Sequence, residues 1–220
     1  MSVWIKICGN TSLADARLAV EAGADAVGFV FAASLRNVTV SEAAAIVSHL
    51  PATVEKIGVF VDATLEEIYS TVRASGLTGV QLHFEAGAEM PAKLRTKLGA
   101  ALRILRVVHF DAGRSTGVSA QVAKYGEDVS IDGVLVDSRT DTAVGGTGVA
   151  FDWTEARKTV FGDESPLKLI AAGGLNPANV AEAIARLRPW GVDVVSGVEA
   201  APGRKDAFKV REFVMRARAA

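Results

Sequence analysis

Short apolar runs and longer amphipathic stretches alternate along the whole chain. The runs are rich in β-branched residues and predict strands at 4–7, 26–31, 56–61, 79–83, 102–108, 133–136, 168–171 and 192–195. Between them, Ala, Leu, Val and Ile recur at three- and four-residue spacing, which predicts helices at 13–22, 41–50, 65–74, 91–98, 119–125, 152–158, 177–187 and 206–217. The pattern therefore predicts a strand–helix unit that is repeated along the chain.

The predicted strands are apolar at nearly every position, which indicates that both of their faces are buried by helices. A closed (β/α)8 barrel and an open doubly wound sheet both satisfy this pattern. The units are regular, and no Gly/Ser linker or low-complexity segment divides the 220 residues. We therefore predict an α/β fold with one (β/α)8 TIM barrel domain over residues 1–220.

Polar residues at the predicted helix starts support the helix assignments. Thr11, Ser41 and Thr64 each precede a helix with an acidic residue in its first turn, and each is expected to be the N-cap. Asn176 is followed by Pro177, which is expected at the first helical position.

The composition excludes several classes of protein. With 50% hydrophobic and 22% charged residues the chain resembles a globular protein, not a disordered one. Its 24 Lys and Arg against 25 Asp and Glu leave no basic field that would attract nucleic acid.

The expected setting of the protein follows from its cysteine count and its apolar segments. Cys8 is the single cysteine and cannot form an internal disulfide, which favours a reducing compartment. The first residues do not resemble a signal peptide, and no run approaches the roughly 20 apolar residues that span a bilayer. We therefore expect a cytoplasmic protein with no membrane partner. Because no long apolar surface segment stands out, the sequence leaves the oligomeric state open, with a monomer favoured over an oligomer.

In such a barrel, ligands bind at the carboxyl ends of the strands. Gly173 and Gly174 follow the seventh strand, and Ser196 and Gly197 follow the eighth. Either pair could simply make a tight turn, but small residues in both loops favour backbone N–H groups that bind a phosphate. The GGTG segment at 145–148 is a third candidate anion nest or a flap, and it matches no nucleotide-binding spacing.

Four further residues at this edge have two interpretations each. Cys8 is either a small buried hydrophobe or an exposed thiol whose pKa nearby donors lower, so that it acts as base or nucleophile. Asp137 is a turn cap or a catalytic acid, and Arg36 a solvated cation or a clamp for a substrate carboxylate. Asp193 interrupts an apolar strand, so it is ion-paired or contacts a ligand.

An ordered set of motifs resembles the phosphoribosylanthranilate isomerase family of tryptophan biosynthesis. The motifs are KICG at 6–9, GFVF at 28–31, GVFV at 58–61, VQLH at 80–83, GGTG at 145–148, GGLNPANV at 173–180, VDVVSGVE at 192–199 and PGRKD at 202–206. The resemblance implies a (β/α)8 barrel that catalyses an Amadori rearrangement of a phosphorylated small molecule without a cofactor or metal. It implies Cys8 as general base and Asp137 as general acid, with Arg36 on the anthranilate carboxylate and Asp193 positioning the substrate.

The chain departs from the family pattern at Leu35, Asn37, Phe84 and Val195, which are expected to change the shape of the anthranilate pocket. Two alternatives stay open: a related phosphosugar isomerase with an altered substrate range, and a non-catalytic barrel that binds a phosphorylated metabolite. The related isomerase of histidine biosynthesis generally has an aspartate at the end of strand one, where this chain has cysteine. The sequence leaves Gln81, His83 and Asp111 open between structural and ligand-binding roles.

Overall fold

The computed structural model describes residues 2–110, 115–137, 153–162 and 167–220. In these residues eight parallel strands close into a barrel in the order β1 to β8. The strands are β1 Trp4–Ile7, β2 Ala26–Val30, β3 Glu55–Phe60, β4 Gly79–Leu82, β5 Arg103–His109, β6 Gly133–Asp137, β7 Lys168–Ala172 and β8 Gly191–Val194. The helices are α1 Leu13–Glu21, α2 Val40–Val47, α3 Leu65–Ser75, α4 Met90–Leu98, α5 Ser115–Gly126, α6 Trp153–Thr159, α7 Val180–Leu187 and α8 Ala207–Ala219.

The pairing of the first strand with the last distinguishes the barrel from an open sheet. Trp4 lies opposite Gly191, and Ile7 lies opposite Val194, so β1 and β8 are parallel neighbours. This closure confirms the predicted (β/α)8 architecture. It also brings the carboxyl ends of all eight strands to one rim of the barrel, where the candidate site residues were expected.

Two apolar clusters explain why the strands are hydrophobic on both faces. Outward-facing strand residues such as Ile5, Val27 and Phe29 pack against the helices in the larger cluster. Inward-facing residues such as Trp4 and Leu135 fill the barrel in a second cluster. Because side chains alternate along a strand, this second cluster identifies which polar residues face the barrel interior.

Of the four residues predicted to mark helix starts, one is confirmed and three are wrong. Thr64 caps α3 in a capping box with Glu67, as predicted. The predicted caps Thr11 and Ser41 are wrong by one and two residues: Ser12 caps α1 and Thr39 caps α2, because these residues accept the N3 backbone N–H. Helix α7 begins at Val180, so Pro177 lies in the turn before it and not at its first position.

A small antiparallel hairpin near the C-terminus was not predicted. Strands β9 Glu199–Ala201 and β10 Arg204–Lys205 follow a short 3-10 turn, Ser196–Val198, and lead into α8. These strands contain three and two residues, too few to show the alternation of apolar and polar residues that predicts a strand.

The 145–148 segment and Asp111 lie outside the described residues. Within the described ranges, no helix is long and apolar enough to cross a membrane.

The capping box of α3 gives a test of this local structure. The Thr64 hydroxyl accepts a hydrogen bond from the Glu67 N–H at 3.3 Å, and the Glu67 carboxylate accepts one from the Thr64 N–H at 2.8 Å. Thr64→Ala removes the first bond, and we expect it to lower the free energy of unfolding by about 1 kcal/mol, as measured by urea denaturation. Ser70→Ala on the same helix, which removes only a bond to the Glu67 carbonyl, is the control and should stay within about 0.5 kcal/mol. Equal losses in both variants would contradict the cap.

Candidate functional site

Period-two alternation directs a set of polar side chains into the upper part of the barrel. Lys6 and Cys8 continue the inward face that Trp4 begins on β1, and Asp137 continues the face of Leu135 on β6. Asp193 lies beside Lys6 in the pairing of β1 with β8. Ionisable groups therefore lie directly above the apolar interior, at the carboxyl ends of the strands.

A buried ion pair joins the first strand to the last. The Lys6 ammonium is fully buried and donates hydrogen bonds to Asp193 and to the Gln81 side-chain oxygen, both at 2.9 Å. Burial alone would lower the pKa of Lys6, but the charges of Asp193 and Cys8 and hydrogen bonds to them hold that pKa above its ordinary value. Asp193 is thus ion-paired, one of its two predicted interpretations, and Gln81 is a structural partner of Lys6.

Cys8 differs from the expectation of an exposed thiol with a lowered pKa. The residue is buried, with 3% of its surface exposed, and its backbone N–H extends the pairing with β8 by donating to the Val194 carbonyl at 2.9 Å. The sulfur occupies the space that a Cβ on Gly28 of the neighbouring strand would fill, so glycine at that position makes room for the thiol. Burial raises the pKa of the Cys8 thiol above its ordinary value, although the nearby Lys6 ammonium acts to lower it.

Asp137 and both glycine-containing loops border the same cavity. Asp137 is the last residue of β6 and is buried, and its backbone carbonyl accepts a hydrogen bond from the Phe110 N–H at 2.8 Å. The cavity wall is formed by Asp137, Asp193, Ala172, Gly173, Gly174, Leu175, Val194, Val195, Ser196 and Gly197. Six of the eight predicted site residues therefore surround one space at the barrel rim.

The loops that follow β7 and β8 are in direct contact. A Cβ on Gly197 would overlap the carbonyl oxygen of Leu175, so only glycine allows the two backbones to approach this closely. Gly173 and Gly174 both have positive φ, at 84° and 67°. The glycines therefore bring two stretches of backbone together at the cavity, which is the arrangement that a backbone anion site requires.

Arg36 has an acidic partner that the sequence did not reveal. Its guanidinium donates two hydrogen bonds to the Glu199 carboxylate, from Nε at 2.9 Å and from Nη2 at 2.6 Å. The Arg36 stem lies beside Gly9, where a Cβ would be 2.9 Å from Arg36 Cδ. Since Gly9 follows Cys8, this contact brings Arg36 close to the thiol-bearing end of β1.

Two further features lie at the rim: Lys205, which the sequence analysis did not single out, and a pair of histidine rings that includes His83, whose role it left open. Lys205 is buried, and its ammonium donates a hydrogen bond to the Cys8 carbonyl at 2.6 Å. It also forms an ion pair with Glu199 at 3.2 Å. The rings of His83 and His109 lie 5.1 Å apart at the ends of β4 and β5. The sequence offers a signal for Lys6, because a lysine interrupts the apolar run at 4–7. Glu199 and Lys205 lie in the motifs at 192–199 and 202–206, but nothing in those motifs indicates that the two residues pair.

Comparisons with known proteins cover nearly the whole chain. Residues 5–216 match the family model described as N-(5'phosphoribosyl)anthranilate (PRA) isomerase. An N-(5'-phosphoribosyl)anthranilate isomerase from Pelobacter propionicus is 44% identical over 211 residues, which is 96% of this chain and 93% of that relative.

Solved structures give the same result. Phosphoribosyl anthranilate isomerase from Thermotoga maritima has a TM-score of 0.87 and 36% identity, covering 99% of this chain and 100% of that chain. A phosphoribosyl anthranilate isomerase in complex with reduced 1-(O-carboxyphenylamino)-1-deoxyribulose 5-phosphate has a TM-score of 0.81 and 35% identity, with the same coverage. The similarity therefore includes sequence, fold and length together.

Removing one charge of the buried Lys6–Asp193 pair is expected to lower the free energy of unfolding much more than removing both charges. Asp193→Asn keeps the side-chain shape but leaves the fully buried Lys6 ammonium without its carboxylate, so we expect a loss of about 3–5 kcal/mol in the free energy of unfolding. The double variant Lys6→Met, Asp193→Leu removes both charges and should recover most of that loss.

Urea denaturation of the ligand-free protein measures both variants. Glu182→Gln is the matched control, because it breaks an exposed ion pair with Arg186 at 2.7 Å and should cost less than about 1 kcal/mol. If Asp193→Asn cost no more than this control, the assigned importance of the Lys6–Asp193 pair would be wrong.

Proposed function

The chain belongs to the N-(5'-phosphoribosyl)anthranilate isomerase family, and we propose that Cys8 and Asp137 carry out the proton transfers of its reaction. Its activity is that of an isomerase of tryptophan biosynthesis. The reaction is an Amadori rearrangement of N-(5-phosphoribosyl)anthranilate to 1-(2-carboxyphenylamino)-1-deoxyribulose 5-phosphate. The observation that carries the residue assignment is the cavity at the barrel rim, where Asp137 and the two glycine loops meet beside β1, the strand that Cys8 directly follows.

In the first step, Asp137 acts as general acid and donates a proton to the furanose ring oxygen. The bond between that oxygen and C1 breaks, and the anilino nitrogen forms a Schiff base with C1. The position of Asp137 supports this role, because its carboxyl group is buried on the inward face of β6 and borders the cavity. A positioned acid of this kind typically accelerates a reaction by roughly 10²–10⁴-fold.

In the second step, the Cys8 thiolate removes the proton from C2, and the resulting enolamine tautomerises to the ketone. Support comes from the inward face of β1, which presents Lys6 and Cys8 together, so that the Lys6 ammonium stabilises the thiolate. The raised pKa of Cys8 reduces the thiolate fraction at neutral pH, but it also makes that thiolate a stronger base.

The remaining predicted residues bind the two ends of the substrate. We assign the phosphate to the Gly173–Gly174 and Ser196–Gly197 backbones, which border the cavity in two adjoining loops. We assign the anthranilate carboxylate to Arg36 and substrate positioning to Asp193. The similar enzyme bound to a reduced, phosphorylated product analogue supports a phosphorylated small molecule as ligand.

Substitution of the two proposed groups tests the assignment. We expect Cys8→Ala and Asp137→Asn each to lower turnover by roughly 10²–10⁴-fold in a folded protein, measured from the change in anthranilate fluorescence. Asp62→Asn is the control, because Asp62 is an exposed carboxylate that follows β3 at the same rim. Near-normal turnover in Cys8→Ala or Asp137→Asn would remove that residue from its proposed role.

The pH dependence gives an independent test of the base. The thiolate is the active form, and its pKa in the folded protein lies above the ordinary value, so in Asp137→Asn, where the proposed acid is absent, the residual kcat/KM should rise with pH by about tenfold per unit through neutrality. The rise should level off only above the ordinary cysteine value of about 8.5. Initial rates between about pH 6 and pH 9.5 measure the profile. A plateau that begins near pH 7 would contradict a base with a raised pKa.

A further inference from the structure

The β9–β10 hairpin contributes a carboxylate that is held between two cations at the barrel rim. Glu199 accepts both hydrogen bonds from the Arg36 guanidinium, and its Oε1 also accepts an ion-paired hydrogen bond from Lys205 at 3.2 Å. Its side chain is almost entirely buried, whereas that of Arg36 is 22% exposed. Glu199 is therefore the buried member of the pair, and Arg36 is the partly exposed one.

Lys205 connects the same carboxylate to the strand that carries the proposed base. The Lys205 ammonium donates to the Cys8 carbonyl at 2.6 Å and to the Val195 carbonyl at 3.4 Å, in addition to Glu199. Burial lowers the pKa of Lys205, against the raising effect of the Glu199 charge. One ammonium thus links the carboxylate that holds Arg36 to the backbone directly after β1 and directly after β8.

The hairpin itself is fixed to the barrel at several points. The Thr11 hydroxyl donates to the Gly203 carbonyl at 2.6 Å, and the Gly203 N–H donates to Glu199 Oε1 at 3.3 Å. Lys209 of α8 donates to the Glu199 backbone carbonyl at 2.9 Å. Both the backbone and the carboxylate of Glu199 are therefore held in place by residues outside the loop that carries Arg36.

These bonds set the orientation of Arg36 more strictly than a charge pair would. A guanidinium bound through Nε and one terminal nitrogen has its plane fixed, since both bonds lie in that plane. Arg36 lies in a loop between β2 and α2 and is only partly buried, so without this contact its long side chain could adopt many rotamers. The fixed plane is what bidentate recognition of a second carboxylate requires.

We propose that Glu199, held by Lys205, is a positioning residue that orients Arg36 for the carboxylate of the substrate. This inference rests on the proposed function, which assigns the anthranilate carboxylate to Arg36. Glu199 acts through Arg36 and does not contact the reacting atoms. Its effect should therefore appear in substrate affinity and in discrimination for the carboxylate, and much less in kcat.

The experiment compares two ligands that differ in one group. The probes are reduced 1-(2-carboxyphenylamino)-1-deoxyribulose 5-phosphate and the same compound without the carboxyl group, titrated by fluorescence. In Glu199→Gln we expect the Kd of the carboxylated probe to rise by roughly 10- to 100-fold, while the other probe stays within about twofold. KM should rise by a similar factor, with a much smaller change in kcat. Equal weakening of both probes, or no weakening, would overturn the proposal.

A double-mutant cycle separates this inference from the proposed function. Arg36→Ala should weaken the carboxylated probe alone, and adding Glu199→Gln to it should have no further effect on that probe. If Arg36→Ala leaves the probe affinity unchanged, the proposed clamp is wrong and the inference is overturned with it. If Arg36→Ala weakens binding but Glu199→Gln does not, only the inference is overturned.

A second variant at position 199 and a control variant complete the experiment. Glu199→Asp retains the charge opposite Lys205 but withdraws the carboxylate from Arg36, so it should show the same selective loss even if Glu199→Gln is poorly folded. Glu182→Gln, in the exposed pair with Arg186, is the matched control and should leave both titrations unchanged. Selective loss in Glu199→Asp supports the proposal, and unchanged selectivity in a folded Glu199→Asp overturns it.

Discussion

The ion pair between Lys6 and Asp193 is the contact on which the rest of the site depends. It joins β1 to β8, the two strands whose pairing closes the barrel, and it lies inside the ring of strands with Gln81 as a further acceptor. Burying two charges is costly unless each is paired and hydrogen-bonded, so the closed register and the pair require each other. The register that satisfies Lys6 also places Cys8 beside β8 and Asp193 at the cavity.

The same pairing explains why the thiol is not ionised more readily. Two lysines lie near Cys8, but Lys6 is already neutralised by Asp193 and Lys205 by Glu199. Both cations still lower the pKa of the thiol, but the Asp193 charge opposes them, and burial, which raises that pKa, is the largest influence. A base of this type is strong when ionised and sparsely ionised in the free protein, so the surroundings control when it acts.

Local sequence patterns predicted the barrel and the approximate positions of most site residues, because burial on both strand faces and glycine-containing loops leave local signals. They did not predict the partners. Arg36 and Glu199 are 163 residues apart, and Lys6 and Asp193 are 187 apart, so only closure of the barrel brings each pair together. The burial of Cys8 also depends on a neighbouring strand, since its sulfur occupies the space left by a missing side chain at position 28.

Three of the departures from the family motifs, at Leu35, Asn37 and Val195, lie beside Arg36 or Lys205. Leu35 is 79% exposed, and Asn37 donates from its side chain to the Ala32 carbonyl at 3.0 Å, which keeps the Arg36 loop folded. Val195 takes part through its carbonyl, which accepts from Lys205 at 3.4 Å. The hydrogen bonds of the Arg36 guanidinium and of Lys205 use no side-chain atom of Leu35 or Val195. The barrel rim can therefore vary in surface shape while its ionised groups keep their geometry.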